Sequence, residues 1–174
     1  NDTALILANG FAGNLEITKR SGALDRFREM LSALLAELAR GLVRDGEGAT
    51  KVIEITVEEA KTLSDARQVA YAVANSNLVK TAFFGSDPNW GRIIYAVGSV
   101  GIDLPVDRVR LFFEGVPVFA GGKGNLDQEE ELAGIMKQTE IRVRIGLGMG
   151  RRSWTVCTSD LSFDYIKINA HYHT

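Results

Sequence analysis

The sequence predicts an α+β fold, in which mixed sheets with antiparallel hairpins pack against helices. In the first half of the 174 residues, segments with strand-like alternation and segments with helix-like periodicity follow one another. In the last third, short strand-like segments flank turn residues, which is typical of hairpins rather than of a doubly wound parallel sheet. A chain of this length suits one or two small domains.

The first third contains two predicted strands with a long helix between them. Residues 3–8 form an apolar run that ends at Asn9-Gly10 and predicts a short buried strand. Residues 24–43 carry leucines at three- and four-residue steps between charged side chains, which is typical of an amphipathic helix. Residues 51–58 alternate between apolar and polar side chains and predict a half-buried strand.

The middle of the chain is predominantly helical. Ser64 or Asp65 is the expected cap of a helix whose apolar residues recur at helical spacing. These residues are Ala66, Val69, Ala70, Val73 and Ala74. Residues 78–84 form an apolar run too short to separate strand from helix. A turn at Asp87-Pro88-Asn89 then leads into a further predicted helix that begins near Trp90.

The last third is rich in predicted strands. The strand-like segments are 109–113, 116–119, 140–145, 153–158 and 165–170. Glu114-Gly115 lies between the first two segments and predicts a hairpin turn. The third and fourth segments are expected to pair as a second hairpin across a glycine-rich connection. Residues 128–137, with an acidic start, predict a helix between the two hairpins.

Composition excludes several classes of function. The 22 acidic and 20 basic residues give a net charge of −2, so we expect no nucleic-acid partner and no membrane partner. The single cysteine, Cys157, excludes an internal disulfide framework and a cysteine-based metal cluster. His171 and His173 have no third ligand nearby in sequence, so we expect no metal. Without a basic leader or a membrane-length apolar run, the protein is expected to be cytoplasmic.

The segment Asp45-Gly46-Glu47-Gly48 is the first candidate for ligand binding. A carboxylate between two glycines at a helix-to-strand turn has open backbone on either side and can reach a ligand's ammonium group. Spacing alone favours the alternative, a solvated turn glutamate. In the segment 87–92, Asp87, Asn89 and Arg92 could line a polar pocket, but a helix cap at Asn89 is the favoured interpretation.

Six strings in this order and at these spacings resemble the ornithine acetyltransferase (glutamate N-acetyltransferase) family over essentially the whole chain. The strings are Asn1-Asp2-Thr3, Leu7-Ala8-Asn9-Gly10, Asp45-Gly46-Glu47-Gly48-Ala49-Thr50-Lys51, Leu78-Val79-Lys80-Thr81-Ala82, Asp87-Pro88-Asn89-Trp90-Gly91-Arg92 and Ile168-Asn169-Ala170. The third and fifth strings together are highly specific. The chain opens without Met directly into an apolar run, which suggests either a piece of a longer chain or ordinary trimming.

The resemblance implies an enzyme made as one precursor that cleaves itself before a threonine. That threonine heads the β subunit and carries an acetyl group from N-acetylornithine to glutamate by a ping-pong route in arginine biosynthesis. The threonine's motif is absent here, so we expect no catalytic residue in this chain and place the nucleophile upstream of Asn1. The implied partners are the α subunit of the same precursor and a second αβ unit. No cofactor is expected, with acetyl-CoA left open as a second acetyl donor.

Three substrate-binding positions carry over from the family motifs: Glu47, Asn169 and Thr174. A carboxylate can pair with an amino group, while an amide and a hydroxyl can bind an amino acid's carboxylate or backbone. His171 and His173 depart from the family's usual ending, which puts the geometry around Thr174 in doubt. The resemblance further implies that residues 1–60 form the C-terminal part of an αββα nucleophile domain. Residues 61–174 would form a small C-terminal α+β domain whose tail returns to the active site.

Three other functions stay open at this point. A related N-terminal-nucleophile aminopeptidase or amidase would keep the fold and change the reaction. An acetyltransferase of specialised metabolism would change the acyl acceptor. The isolated chain, which lacks the nucleophile's motif, would by itself be an assembly module that contributes one wall of a substrate pocket.

Overall fold

The computed structural model describes residues 3–17, 21–125 and 127–171. In chain order the elements are α1 (Gly22–Arg44), β1 (Val52–Ala60), α2 (Leu63–Ala74), α3 (Asn77–Phe84), α4 (Trp90–Gly98), β2 (Arg110–Phe113), β3 (Val116–Ala120), β4 (Lys123–Gly124), α5 (Glu129–Met136), β5 (Glu140–Gly146), β6 (Arg152–Ser159) and α6 (Phe163–His171). A single 3-10 turn, Val106–Arg108, precedes β2. These elements confirm the predicted α+β fold.

The chain divides into two compact units, the first ending at Glu37 and the second beginning at Leu38. In the first unit, the strand predicted at residues 3–8 is wrong, because the described residues there have no regular secondary structure. Leu5 and Leu7 are 76% and 84% exposed. A strand needs a neighbour for its backbone N–H and C=O groups, and none of the described strands pairs with this segment. The helix predicted at 24–43 is confirmed as α1.

The second unit is built on one six-stranded sheet with the order β4-β3-β2-β5-β1-β6. β1 lies between β5 and β6, and it pairs in parallel with β5 and antiparallel with β6. The hairpin predicted at Glu114-Gly115 is confirmed by the antiparallel pairing of β2 and β3.

The second hairpin predicted from sequence, between residues 140–145 and 153–158, is wrong. Both segments are strands, but β1 lies between them, and the connection crosses the end of β1. Leu147 N–H donates to the Glu58 carbonyl at 3.0 Å, and Met149 and Gly150 N–H groups donate to the Glu59 carbonyl at 2.8 Å. A Cβ at Gly150 would lie 2.5 Å from the Ala60 carbonyl oxygen, so this crossing requires glycine.

The core lies between the sheet and helices α2 to α5. Ile53, Ile55 and Val57 alternate along β1 and are fully buried, as the period of a strand requires. The apolar stripe predicted for α2 is buried in full; it comprises Ala66, Val69, Ala70, Val73 and Ala74. Small side chains along this stripe let α2 lie close against β1 and β6.

The cap of helix α2 differs from the sequence prediction. The cap of α2 is Thr62 rather than Ser64 or Asp65, since the Thr62 hydroxyl accepts the Asp65 N–H and the Asp65 carboxylate accepts the Thr62 N–H. This reciprocal pair is a capping box, which saturates two otherwise unpaired donors. The undecided segment 78–84 belongs to helix α3, which Ser76 caps.

The strand predicted at residues 165–170 is also wrong, because this segment belongs to helix α6. Ile166 and Ile168 alternate with polar residues, as in a strand, but the segment is too short for this pattern to separate strand from helix. The deciding signal is the preceding serine: the Ser162 hydroxyl accepts the Tyr165 N–H at 3.1 Å, which is the geometry of a helix N-cap.

No helix in the described ranges is long and apolar enough to cross a membrane. The predicted domain boundary at residue 60 stays a prediction for the complete protein. Within this chain, two compact units divide between Glu37 and Leu38. β1, which ends at Ala60, shares its sheet with strands from the last third of the chain.

Lys51, at the start of β1, links three separate segments. Its ammonium group donates to the carbonyl oxygens of Phe83 and Met136, both at 2.6 Å, and to the Ser86 hydroxyl at 2.8 Å. Phe83 and Met136 lie in the last turns of α3 and α5, where the helix dipole favours a cation. Burial lowers the pKa of Lys51, while the Asp160 carboxylate opposes that shift.

We expect Lys51→Met to lower the free energy of unfolding by about 3 kcal/mol, because two buried helix-end carbonyls lose a charged donor. Urea unfolding followed by the fluorescence of Trp90 and Trp154 measures the change. The matched control is Lys61→Met at an exposed position, which should cost less than about 0.5 kcal/mol. Equal effects of the two substitutions would contradict the role assigned to Lys51.

Candidate functional site

The candidate site begins at the turn between α1 and β1, where Glu47 is exposed. The turn reverses the chain with Gly48 at a φ of +66°, a backbone conformation that favours glycine. Lys51 and Val52 then enter the sheet and are buried. The Glu47 carboxylate therefore projects to solvent, while the backbone a few residues after it is held by the buried residues Lys51 and Val52.

Asp160, which directly follows β6, fixes that strand side of the turn. This buried carboxylate accepts the backbone N–H of Thr50 at 2.8 Å and that of Lys51 at 3.0 Å. It also accepts the Thr50 hydroxyl. The Asp160 N–H returns a bond to the Lys51 carbonyl at 3.3 Å. A buried carboxylate with this many donors is fully paired and anchors the backbone around it.

Ser162 ties the other end of the turn to helix α6. Its hydroxyl donates to the Gly48 carbonyl at 2.6 Å while accepting the Tyr165 N–H at 3.1 Å. The approach is close: a Cβ at Gly48 would lie 2.5 Å from the Tyr165 nitrogen and 2.9 Å from the Ser162 hydroxyl oxygen. Glycine at position 48 thus permits contact between the turn and the first turn of α6.

The structure brings two of the three predicted substrate-binding residues together. The Asn169 side-chain amide donates to the Glu47 carboxylate at 3.0 Å and to the Tyr165 carbonyl at 2.9 Å. The two residues are 122 positions apart in the sequence. The third, Thr174, lies outside the described residues, so its part in the site stays a prediction.

Both members of the pair are exposed and keep unused hydrogen-bonding capacity. The Asn169 bond engages one oxygen of the Glu47 carboxylate, and among the described residues no donor reaches the other. The side-chain carbonyl oxygen of Asn169 likewise accepts no hydrogen bond from the described residues. A ligand that presents an ammonium group can therefore donate to both oxygens, since a carboxylate and an amide carbonyl are both acceptors.

The second candidate segment, residues 87–92, has the structural role that was favoured from sequence. Asn89 caps α4, its side-chain oxygen accepting the Arg92 N–H at 3.1 Å. Trp90 packs against Phe119, with ring centroids 5.4 Å apart. The Arg92 guanidinium donates to the Leu78 carbonyl at 2.8 Å and so joins α4 to α3.

Two residues of the site were not predicted from sequence: Asp160 and Ser162. They lie between β6 and the segment 165–170, which was predicted to be a strand. Because no helix was expected there, the sequence did not indicate that these residues hold the start of one. The available signal was Ser162 three residues before Tyr165, the spacing of a helix cap. In the described ranges, no group of three or more potential metal ligands comes together.

Comparison with known proteins identifies the same family over the same residues. The model of the ArgJ family matches residues 1–174. "Arginine biosynthesis bifunctional protein ArgJ" of Geobacter sulfurreducens is 50% identical over 179 residues, which cover 100% of this chain and 44% of that protein. The protein of the same name from Streptococcus thermophilus is 44% identical, with 100% of this chain and 44% of that protein covered.

A solved structure agrees with the fold. The crystal structure of "Arginine biosynthesis bifunctional protein argJ" from Bacillus halodurans superposes with a TM-score of 0.91 at 32% identity, covering 97% of this chain and 79% of that chain. This chain spans 44% of the length of the Geobacter sulfurreducens and Streptococcus thermophilus relatives.

Gly48→Ala should displace the start of α6 from the turn, because its Cβ has no room and its φ of +66° strains any other residue. We expect a loss of about 1–3 kcal/mol in the free energy of unfolding, measured by urea titration. Gly134→Ala in α5 is the matched control, since its Cβ would meet nothing within 4 Å. A Gly48→Ala variant as stable as that control would show that the contact is not tight.

Proposed function

The chain belongs to the ArgJ family, and on that premise we propose that it is the carboxy-terminal part of the β subunit of an N-acetyltransferase. The proposed reaction moves an acetyl group from N-acetylornithine to glutamate. The observation that carries the proposal is the hydrogen bond between Glu47 and Asn169 at 3.0 Å, which joins the two family motifs in one exposed pair. An acceptor pair on the surface suits a substrate that carries an ammonium group.

The proposed chemistry has two half-reactions on a threonine hydroxyl upstream of this chain. The hydroxyl oxygen attacks the acetyl carbonyl of N-acetylornithine, its proton passes to a base, and the C–N bond breaks to release ornithine with a proton on its amine. The glutamate amine then attacks the acetyl-threonine ester, the C–O bond breaks, and the proton returns to the threonine oxygen. Donors on the α subunit would stabilise each oxyanion.

In this scheme the described residues bind and orient the substrate rather than react. The unused oxygen of Glu47 would accept the free ammonium group of N-acetylornithine, a charge-assisted bond stronger than a neutral one. The Asn169 carbonyl would accept a second N–H of the same group. Thr174, by its family match, would contribute a hydroxyl to the amino acid's carboxylate.

The exposure of the pair supports a pocket that is completed by other polypeptide. Glu47 and Asn169 stand on the surface, whereas a substrate site has to exclude water to strengthen such contacts. We place the α subunit of the same precursor on this surface and a second αβ unit beyond it. Use of acetyl-CoA as a second donor belongs to the same proposal, since the relatives are named as bifunctional.

The first test uses the complete protein, with the polypeptide upstream of Asn1 included. We expect intact-mass spectrometry after mixing with N-acetylornithine to show one added acetyl group on the β subunit, which glutamate then removes as N-acetylglutamate. Replacing the upstream threonine with alanine removes the adduct and is the control. Release of free acetate without transfer to glutamate would instead support the hydrolase alternative.

A second test concerns this chain's own residue. Glu47→Gln keeps the shape of the side chain and removes its charge, so kcat/KM for N-acetylornithine should fall by about tenfold or more. Glu130→Gln, at an exposed position in α5, is the matched control and should leave the kinetics unchanged. Unchanged kinetics in Glu47→Gln would remove this residue from the substrate site.

A further inference from the structure

We propose that Ser162, together with Asp160, is a positioning residue that sets the distance between Glu47 and Asn169. This inference rests on the proposed function, because it concerns how the same pair is held for substrate. In the described structure, neither Asp160 nor Ser162 forms a hydrogen bond with the side chain of Glu47 or Asn169. They act on the two backbone segments from which Glu47 and Asn169 project.

The tie depends on a single buried hydroxyl with two partners. The Ser162 side chain belongs to a residue that is only 3% exposed. Its oxygen donates to the carbonyl of Gly48, the residue next to Glu47, and accepts the N–H of Tyr165 in the first turn of α6. One atom thus joins the substrate-binding turn to the helix that carries Asn169.

Because Asn169 lies far along α6 from Ser162, its position is sensitive to the angle at which α6 leaves the contact between Ser162 and Gly48. Asn169 lies seven residues after Ser162, which is about 10 Å along a helix axis at 1.5 Å per residue. A tilt of about 10° at the helix start would therefore move Asn169 by about 2 Å. The 3.0 Å bond from Asn169 to Glu47 breaks after a far smaller displacement.

Asp160 supplies the fixed reference for both sides of the joint. Through its bonds to Thr50 and Lys51 it holds the strand end of the turn against the end of β6. Ser162 follows Asp160 by two residues, so the fixed position of Asp160 also limits where α6 can begin. The exposed pair can then keep its geometry although neither of its side chains is buried.

The experiment compares Ser162→Ala with Thr158→Val in the complete enzyme. Thr158 is a matched control, because its partly buried hydroxyl in β6 donates to the Ala74 carbonyl at 3.0 Å and to the Ser159 carbonyl at 3.4 Å, and to no residue of the turn or of α6. Both substitutions remove one hydroxyl without adding bulk. Hydrogen–deuterium exchange read by mass spectrometry reports the backbone of residues 45–51 and 163–171, and steady-state kinetics report KM and kcat for N-acetylornithine.

For Ser162→Ala we expect faster exchange in both segments and a KM raised about three- to tenfold, with a smaller change in kcat. Thr158→Val should change neither segment and leave KM as in the wild type. In a Glu47→Gln background, Ser162→Ala should raise KM less than it does alone, since residues acting through one another are not additive.

Three results would overturn the inference: unchanged exchange in both segments, a KM no higher than that of Thr158→Val, or a full effect of Ser162→Ala in the Glu47→Gln background. A wild-type enzyme that transfers no acetyl group from N-acetylornithine would overturn the proposed function instead. The exchange comparison needs no substrate, so it would still decide whether Ser162 joins the turn to α6.

Discussion

The Asp160 carboxylate holds together the parts of this chain on which its candidate site depends. It accepts two backbone N–H groups from Thr50 and Lys51, at the point where the turn that carries Glu47 enters the sheet. A charged acceptor among fixed backbone donors, away from water, is one of the stronger restraints a protein can make. The turn before it and the helix after it both take their positions from this point, and Lys51 extends the same restraint to the ends of α3 and α5.

Local patterns predicted the elements whose partners are close in sequence or whose periodicity runs long enough. The α2 stripe is one case, because five small apolar residues at helical spacing admit only one buried face. The hairpin at Glu114-Gly115 is another, since both residues have positive φ values, 47° and 89°, as a tight turn demands. In each case the information needed lies within about a dozen residues.

Long-range pairing defeated the same reasoning. Residues 140–146 and 152–159 look like two arms of a hairpin, yet β1, some 90 positions earlier in the chain, lies between them. The error at α6 bears more directly on the site. As a strand, the segment would have pointed Tyr165 and Asn169 to one face; as a helix, it lets the Asn169 amide reach back to the Tyr165 carbonyl at 2.9 Å. The family resemblance named Asn169, but only the helix explains how it meets Glu47.

The bond between Glu47 and Asn169 is too weak to create its own geometry. An exposed hydrogen bond contributes about 0.5–1.5 kcal/mol net, and ordering two mobile side chains costs a similar amount. The pair therefore meets because the buried bonds of Asp160 and Ser162 hold the two backbone segments from which its side chains project. This division leaves the exposed acceptors free to exchange solvent for a ligand's ammonium group. A site built in the opposite way, with Glu47 and Asn169 buried and fully paired, would hold its shape but would have to break its own hydrogen bonds to bind.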